Sequence, residues 1–277
     1  IADARDGIAD ARDGIADAQC VMTTNNGKEF PWFEEMRKEI IEFLNGKDYL
    51  DGLDGEIYSH DITSEDGSQV TFENRFSVIQ SVCGIARSSP HPLENQLKLC
   101  VFDLVDLSGE FSQQQRFDKL RRLFSGYKGK YIKLVRTLKV HSINSVGTYH
   151  DEFAGQGYEG VMIRSADLTY IQKRTLYMRK YKNFSDIEVR VIGAQKDDGL
   201  GDATFVWKCQ VLDCDKTKTS SSEKVFKAKP RGTEADKIMW WKNRDDYIGK
   251  LLTVKFQNYS ADGIPRFPIG IGFREDQ

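Results

Sequence analysis

The sequence predicts an α+β chain in two domains, a larger one of antiparallel sheets and helices followed by a small β-barrel. Three observations point there. The 277 residues suit two domains of ordinary size. As far as about Asn183, apolar residues at helical spacing alternate with short apolar runs of the kind that form buried strands. Beyond about Asp186 the texture changes to short alternating strands around one helix, which fits a barrel of about 90 residues. With 39% apolar and 11% aromatic residues both parts can bury cores, which excludes a disordered tail or a fibre.

The elements follow in order. Residues 1–18 hold IADARDG twice and then IADA, a repeat too short for a solenoid, too poor in apolar residues for a coiled coil, and read as an altered segment. Asn26-Gly27 signals a turn. Phe33, Met36, Ile40 and Phe43 predict a helix over Trp32–Leu44, and KLCVFDLVDL, Lys98–Leu107, reads as a buried strand. Gln113–Phe124 places Phe117, Leu120, Leu123 and Phe124 on one helical face, with Arg116, Lys119, Arg121 and Arg122 expected in solvent. Tyr131–Val140 reads as a strand, then a helix ended by Gly155 and Gly157, then strands at Glu159–Arg164 and Tyr177–Lys182. In the second domain Ile187, Val189 and Val191 alternate with polar residues, Phe205–Leu212 is a strand, and Asp213 to about Glu223 is a polar loop. Thr233 with Asp236 predicts an N-cap for a helix carrying Ile238, Met239 and Trp241. Leu252, Val254 and Phe256 make one more strand, completing a barrel of the OB type. The expected division is 1–18, 19–185 and 186–277.

A net charge of −2 and a pI of 6.2 hide a separation along the chain. Residues 116–182 carry 15 Lys+Arg against 5 Asp+Glu, which is +10, while residues 1–115 carry 9 against 22, which is −13. A basic middle can attract a polyanion even in an acidic protein. No stretch approaches the roughly 18 apolar residues of a membrane span, and no secretory leader is visible. Cys20, Cys83, Cys100, Cys209 and Cys214 form no CxxC pair and read as reduced intracellular thiols, so the expected location is the cytoplasm or nucleus of a host, or a bacterial cytoplasm. His60, His91, His141 and His150 have no zinc spacing.

Several residues could carry chemistry. Glu56 in LDGEIY and Glu159 in YEGVMIR each sit at the expected start of a strand; two such carboxylates could bind Mg²⁺, which prefers oxygen ligands and substrate phosphates. Lys180 and Lys182 are two apart, so a strand presents both ammonium groups on one face, a disposition suited to a phosphate. Phe102 in VFDLV can stack on a base or fill a core. Arg266 in PRFPIGIGFRED, and Arg274, add phosphate-capable forks.

In this order LDGEIY, VFDLV, EGVMIR, MRKYK and PRFPIGIGFRED resemble nucleotidyltransferase motifs III, IIIa, IV, V and VI, and DDYIGKLLTVKF followed by PRFP is similar to the OB domain of the same enzymes. The set resembles ATP-dependent DNA ligases of the minimal two-domain viral and phage type, an adenylation domain followed by an OB-fold barrel, with no helical DNA-binding domain before the core. The resemblance implies that a motif I lysine attacks ATP, that AMP passes to the 5′-phosphate of a nick, and that the 3′-hydroxyl displaces it. It implies ATP and Mg²⁺ or Mn²⁺ as cofactors, with metal at Glu56 and Glu159. Lys180 and Lys182 would hold the α-phosphate, Phe102 would stack on adenine with Val161 or Met162 on the other side of the base, and Arg266 and Arg274 would orient pyrophosphate. The implied partner is nicked duplex DNA, encircled by a monomer, with no membrane.

Family motif I reads K-x-D-G-x-R, and its counterpart here is Ala11-Arg12-Asp13-Gly14-Ile15-Ala16. Asp13 and Gly14 fit, whereas Ala11 stands where the nucleophilic lysine belongs. Motif Ia, S-R-x-G, meets Thr24-Asn25-Asn26-Gly27. An alanine methyl cannot form a phosphoramidate, so self-adenylylation is expected to fail. The alternatives are a non-catalytic nick-binding module, or an RNA ligase or mRNA capping guanylyltransferase of the same superfamily.

Overall fold

The computed structural model describes residues 6–12, 19–24, 26–197, 204–212, 224–260 and 262–274, with side chains from Cys20 onward. The chain divides into two compact units, Ile1–Tyr181 and Lys182–Gln277.

The first unit is built on a five-stranded sheet of β1 (Asp6–Arg12), β2 (Gln19–Thr24), β3 (Gly52–Tyr58), β4 (Lys98–Val105) and β5 (Ile132–Leu134). Its order is β2-β1-β3-β4-β5, antiparallel throughout except for the parallel β4–β5 pair. The repeat-like segment therefore supplies β1, a strand flanked on both sides.

Helices α1 (Glu34–Leu44), α2 (Phe72–Val82), α3 (Gln113–Leu123) and α4 (Ile143–Gly155) accompany this sheet. α1 begins two residues later than its spacing predicts because Phe33 has φ 73, outside helical backbone. Met36, Ile40, Phe43 and Leu44 of α1 are buried, in one core with Leu53 and Ile57 of β3, Ile79 and Val82 of α2, and Leu99 and Val101 of β4. α3 starts on a capping box, Ser112 accepting from the Gln115 amide while the Gln115 side chain takes the Ser112 amide. α2 was not anticipated from the sequence.

The strand expected over Tyr131–Val140 is three residues long. β5 is an edge strand that pairs only with β4, Leu99 opposite Ile132 and Val101 opposite Leu134, and the chain leaves the sheet after the Val135 amide bonds the Val101 carbonyl at 2.8 Å. A two-stranded sheet of β6 (Gly160–Arg164) and β7 (Met178–Lys182) completes the unit; the division between the units falls within β7.

The second unit is a closed barrel, ordered β10-β12-β11-β8-β9, of β8 (Ser185–Lys196), β9 (Phe205–Val211), β10 (Val225–Pro230), β11 (Leu251–Phe256) and β12 (Ile269–Phe273). The alternation read from the sequence closes onto Val189, Val191, Trp207, Leu252 and Val254, all essentially buried. Helix α5 (Glu234–Lys242) starts on the expected cap: Thr233 and Asp236 form a reciprocal capping box. The stretch Asp213–Arg231, whose first part reads as a polar loop in the sequence, holds regular structure. Its second half is β10, paired with β9 and β12, while 213–223 and the shorter loop at 198–203 lie outside the described residues. No described helix is long and apolar enough to cross a membrane. Cys20, Cys83, Cys100 and Cys209 form no disulfide among the described residues, and Cys214 lies outside them.

Candidate functional site

β3 and β4 carry two of the predicted residues of the first unit, Glu56 and Phe102. Along β3, Leu53, Gly55 and Ile57 are buried while Asp54, Glu56 and Tyr58 are only half-buried, so the period of two that hides the first set turns the second toward the open face. Glu56 lies within β3 rather than at its start, opposite Cys100 of β4. Burial pushes the Cys100 thiol up to about 11, with the Glu56 carboxylate adding to the shift. The close crossing explains the DGE sequence: a Cβ on Gly55 would lie 2.9 Å from the Cys100 carbonyl oxygen.

Register shifts between Asp54 and Gly55, where a bulge lets Asp54 face Asp103 and Gly55 face Val101. Phe102 is the extra residue in that bulge and is half-buried. The Arg164 guanidinium, at the end of β6, lies 4.5 Å above its ring, near enough for a cation–π contact. Met162 is two residues back along β6 and therefore on the same strand face as Arg164; it is exposed. Glu159 is exposed and immediately precedes β6 rather than opening it.

Beneath this face lies a charged cluster that the sequence did not announce. Asp103 is 3% exposed and Arg116 of α3 is 2% exposed. Arg116 grips Asp103 with two bonds, Nε to Oδ1 at 2.9 Å and Nη2 to Oδ2 at 3.1 Å, and Arg164 Nη1 donates to Oδ2 at 3.1 Å. The expectation that Arg116 is solvated with its helix neighbours is wrong: a buried carboxylate needs a partner, and the planar guanidinium fork supplies two parallel donors. Arg116 also donates to the Phe111 carbonyl at 2.7 Å and the Leu168 carbonyl at 3.3 Å. Its guanidinium lies 5.5 Å from the ring centre of Tyr170, whose hydroxyl donates to Asp54 Oδ2 at 2.9 Å. Burial, reinforced by the Asp54 charge, drives the Tyr170 phenol far above its ordinary value. The signal available in the sequence was Asp103 itself, an acid inside an apolar strand.

A second cluster stands at the other end of β6. Arg75 Nη1 of α2 donates to the Tyr58 hydroxyl at 3.1 Å and to the Gly157 carbonyl at 3.1 Å. Tyr58 shares a 2.9 Å hydrogen bond with His60 Nδ1, and the His60 ring lies 4.7 Å from Tyr158. Burial raises Tyr58 to about 12.

The remaining expected residues divide among the units. Lys180, exposed in β7, belongs to the first unit. Lys182 belongs to the second, where its Nζ approaches Gln257 Oε1 at 3.4 Å. Arg266, in the β11–β12 connection, is half-buried, its amide bonded to the Asn258 carbonyl at 2.8 Å. Arg274 ion-pairs with Glu188 of β8. Ala11 lies in β1 opposite Cys20 of β2; Asp13 and Gly14 lie outside the described residues. Among the described residues no three His, Cys, Asp or Glu are grouped to cage a metal. Glu56 and Glu159 each carry the oxygen donors that a hard cation prefers.

Comparisons with known proteins agree on one family. The model of the ATP-dependent DNA ligase domain matches residues 15–182. The DNA ligase of Enterobacteria phage T4 is 25% identical over 197 residues, which is 65% of this chain and 39% of that protein. The DNA ligase of African swine fever virus (strain Badajoz 1971 Vero-adapted) is 23% identical over 291 aligned positions, 98% of this chain and 62% of that protein. The chain thus spans less than two thirds of the length of each of these relatives. Among solved structures, the fold is similar to Pmar-Lig_Pre, with a TM-score of 0.76 at 21% identity over 99% of this chain and 62% of that one. It is also similar to a structure from the analysis of Lig E DNA ligases as a minimal DNA-binding scaffold, with a TM-score of 0.63 at 18% identity over 99% and 94%.

Proposed function

The chain belongs to the ATP-dependent DNA ligase family, and on that premise we propose that it binds ATP and nicked duplex DNA as a monomer and serves the sealing of 3′-hydroxyl/5′-phosphate nicks, but cannot adenylylate itself. The observation that carries the reading is the face shared by Glu56 and Phe102. An aromatic ring backed on one side by a guanidinium offers its other side to a purine, and a carboxylate stands two strand positions from the bulge that exposes it.

Each residue has a part. Phe102 stacks on adenine, with Met162 on the strand that carries Arg164. Lys180 and Lys182 hold the α-phosphate and stabilise the charge that develops during transfer. Arg266 and Arg274 orient the pyrophosphate, Arg274 on leaving its ion pair with the half-buried Glu188. Glu56 and Glu159 would hold Mg²⁺ or Mn²⁺, which when bound neutralises phosphate charge. The phosphate backbone of DNA is tracked through basic residues, of which 116–182 carries the excess.

What is missing is the attacking amine, because position 11 is alanine. Incubation with α-labelled ATP and Mg²⁺ is expected to leave no covalent label on the chain, and Ala11→Lys to gain it. Label retained by the unmodified chain would overturn the claim of an absent nucleophile, and no gain in the variant would overturn the placement of motif I at Ala11. The same absence favours a second reading, a nick-binding module without chemistry. A nick already carrying 5′-AMP separates the two: slow sealing supports a surviving last step, and binding without sealing supports the module.

A further inference from the structure

The Tyr58 and Asp103 clusters together do something that neither does alone. β6 is tethered at both ends. Before its first residue, Arg75 binds the Gly157 carbonyl and the Tyr58 hydroxyl at 3.1 Å each, and His60, bonded to Tyr58, lies against Tyr158. At its last residue, Arg164 binds Asp103 at 3.1 Å. Just beyond, residues 166–170 are fastened to the start of α3 by Gln113 and Gln114 amides donating to the Leu168 and Ala166 carbonyls at 2.7 and 2.9 Å, and to β3 by Tyr170 on Asp54 at 2.9 Å.

The two tethers meet β3 at Asp54 and at Tyr58, on the same strand face, with Glu56 midway between them. Glu159 lies one residue before β6 and two after Gly157. We infer that Tyr58 with Arg75, and Tyr170 with Asp54 and the Arg116–Asp103–Arg164 cluster, are positioning groups that set the spacing between Glu56 and Glu159 and so tune how strongly a divalent cation strengthens nucleotide binding. This rests on the reading that the chain binds ATP with a metal at those carboxylates.

The physical basis is the contrast between the carboxylates and their supports. Glu56 lies in β3 and Glu159 just before β6, strands of two different sheets, and among the described residues no backbone ladder joins β3 to β6. Two carboxylates that serve one cation must be held within a fraction of an ångström of their working separation, and supporting hydrogen bonds do this. Loss of the Tyr170 hydroxyl removes its bond to Asp54, and loss of the Tyr58 hydroxyl removes its bonds to Arg75 and His60, while the rings still fill their places.

The test measures the equilibrium affinity of the full chain for ATP by calorimetry, with and without Mg²⁺. Tyr58→Phe and Tyr170→Phe are each expected to lose about tenfold of the Mg²⁺-dependent gain in affinity, the equivalent of one well-placed hydrogen bond, while metal-free ATP affinity stays within about twofold. Tyr127→Phe, which removes a hydroxyl donated to Glu39 at 2.6 Å elsewhere in the unit, should leave both affinities unchanged. Arg75→Lys, which keeps the charge but loses the fork, should behave like Tyr58→Phe, and serves if that variant melts early. A Mg²⁺ gain in the variants equal to that of the parent chain, or a parallel loss with and without metal, overturns the inference and leaves ATP binding standing. No ATP binding by the parent chain overturns the functional reading itself, and the inference with it.

Discussion

At the scale of single residues, the sequence made the reactive candidates legible and left their supports hidden. Glu56, Phe102 and Lys180 stand out because short motifs carry them. Arg116 does not, since an arginine on a basic helix looks solvated until the fold shows Asp103 beneath it. The consequence is measurable. Arg116→Met leaves the buried Asp103 with Arg164 as its guanidinium partner among the described residues; stranding a buried charge entirely costs about 3–5 kcal/mol, so denaturant unfolding of the variant should show a smaller but clear loss, while Arg121→Met on the exposed side of α3 should change little. Gly55→Ala is expected to cost about 1–3 kcal/mol, because the new methyl meets the Cys100 carbonyl oxygen at 2.9 Å and backbone cannot step aside. Tyr58 and Tyr170, both raised above the ordinary phenol value, favour the folded state while protonated. Their contribution is complete below the unfolded value of about 10 and is lost as pH rises through the folded values. Ultraviolet titration of the parent chain should therefore show late-ionising phenols that Tyr58→Phe and Tyr170→Phe each reduce by one.

At the scale of elements, amphipathic periodicity placed α1, α3, β8, β9 and β11 to within a few residues, since each turns an apolar face to a core, while the Thr233–Asp236 cap placed α5, which buries no residue fully. Periodicity failed where such a face is short, lacks large apolar residues or is interleaved with lysines. β5 is an edge strand with one neighbour, β10 alternates inside a stretch dominated by lysines, and β1 comes from a repeat with almost no large apolar residue. The turn before α3 was equally silent, yet Asp106 organises it. Its carboxylate accepts from the Ser108 hydroxyl at 2.6 Å and from the Phe111 and Gly109 amides at 2.9 and 3.1 Å. Burial by itself would raise Asp106, but these bonds overcome it and hold the carboxyl below its ordinary value. A depressed carboxyl stabilises the fold above its unfolded value of about 3.9 and loses that contribution as pH falls through the folded value. Asp106→Asn should accordingly be less stable than the parent chain at neutral pH, with the difference shrinking below about pH 4 in urea melts. In the barrel, Trp207 is 1% exposed and stacks edge-on to Phe205 and Phe273. Trp207→Ala should cost about 3–5 kcal/mol in the unfolding of the barrel.

At the scale of the whole molecule, two compact units carry the residues of one proposed reaction, and the net charge of −2 conceals the basic segment 116–182. If that segment follows phosphates, affinity for nicked duplex should fall about tenfold or more between 50 and 200 mM salt, as counterion release requires, and differ little between nick sequences. A flat response over that range would remove backbone phosphates as the main attraction.

By itself the sequence determined the α+β class, the barrel that follows, the family motifs and the absence of a lysine at position 11, because periodicity, local turn chemistry and reactive groups are properties of neighbouring residues. Only the tertiary structure decided that Arg116 is buried on Asp103, that Tyr170 reaches Asp54, and that β6 is tethered at both ends. Those contacts join residues from 13 to 116 positions apart, and a buried charge or hydroxyl finds its partner through the packing of whole elements, which no local pattern encodes.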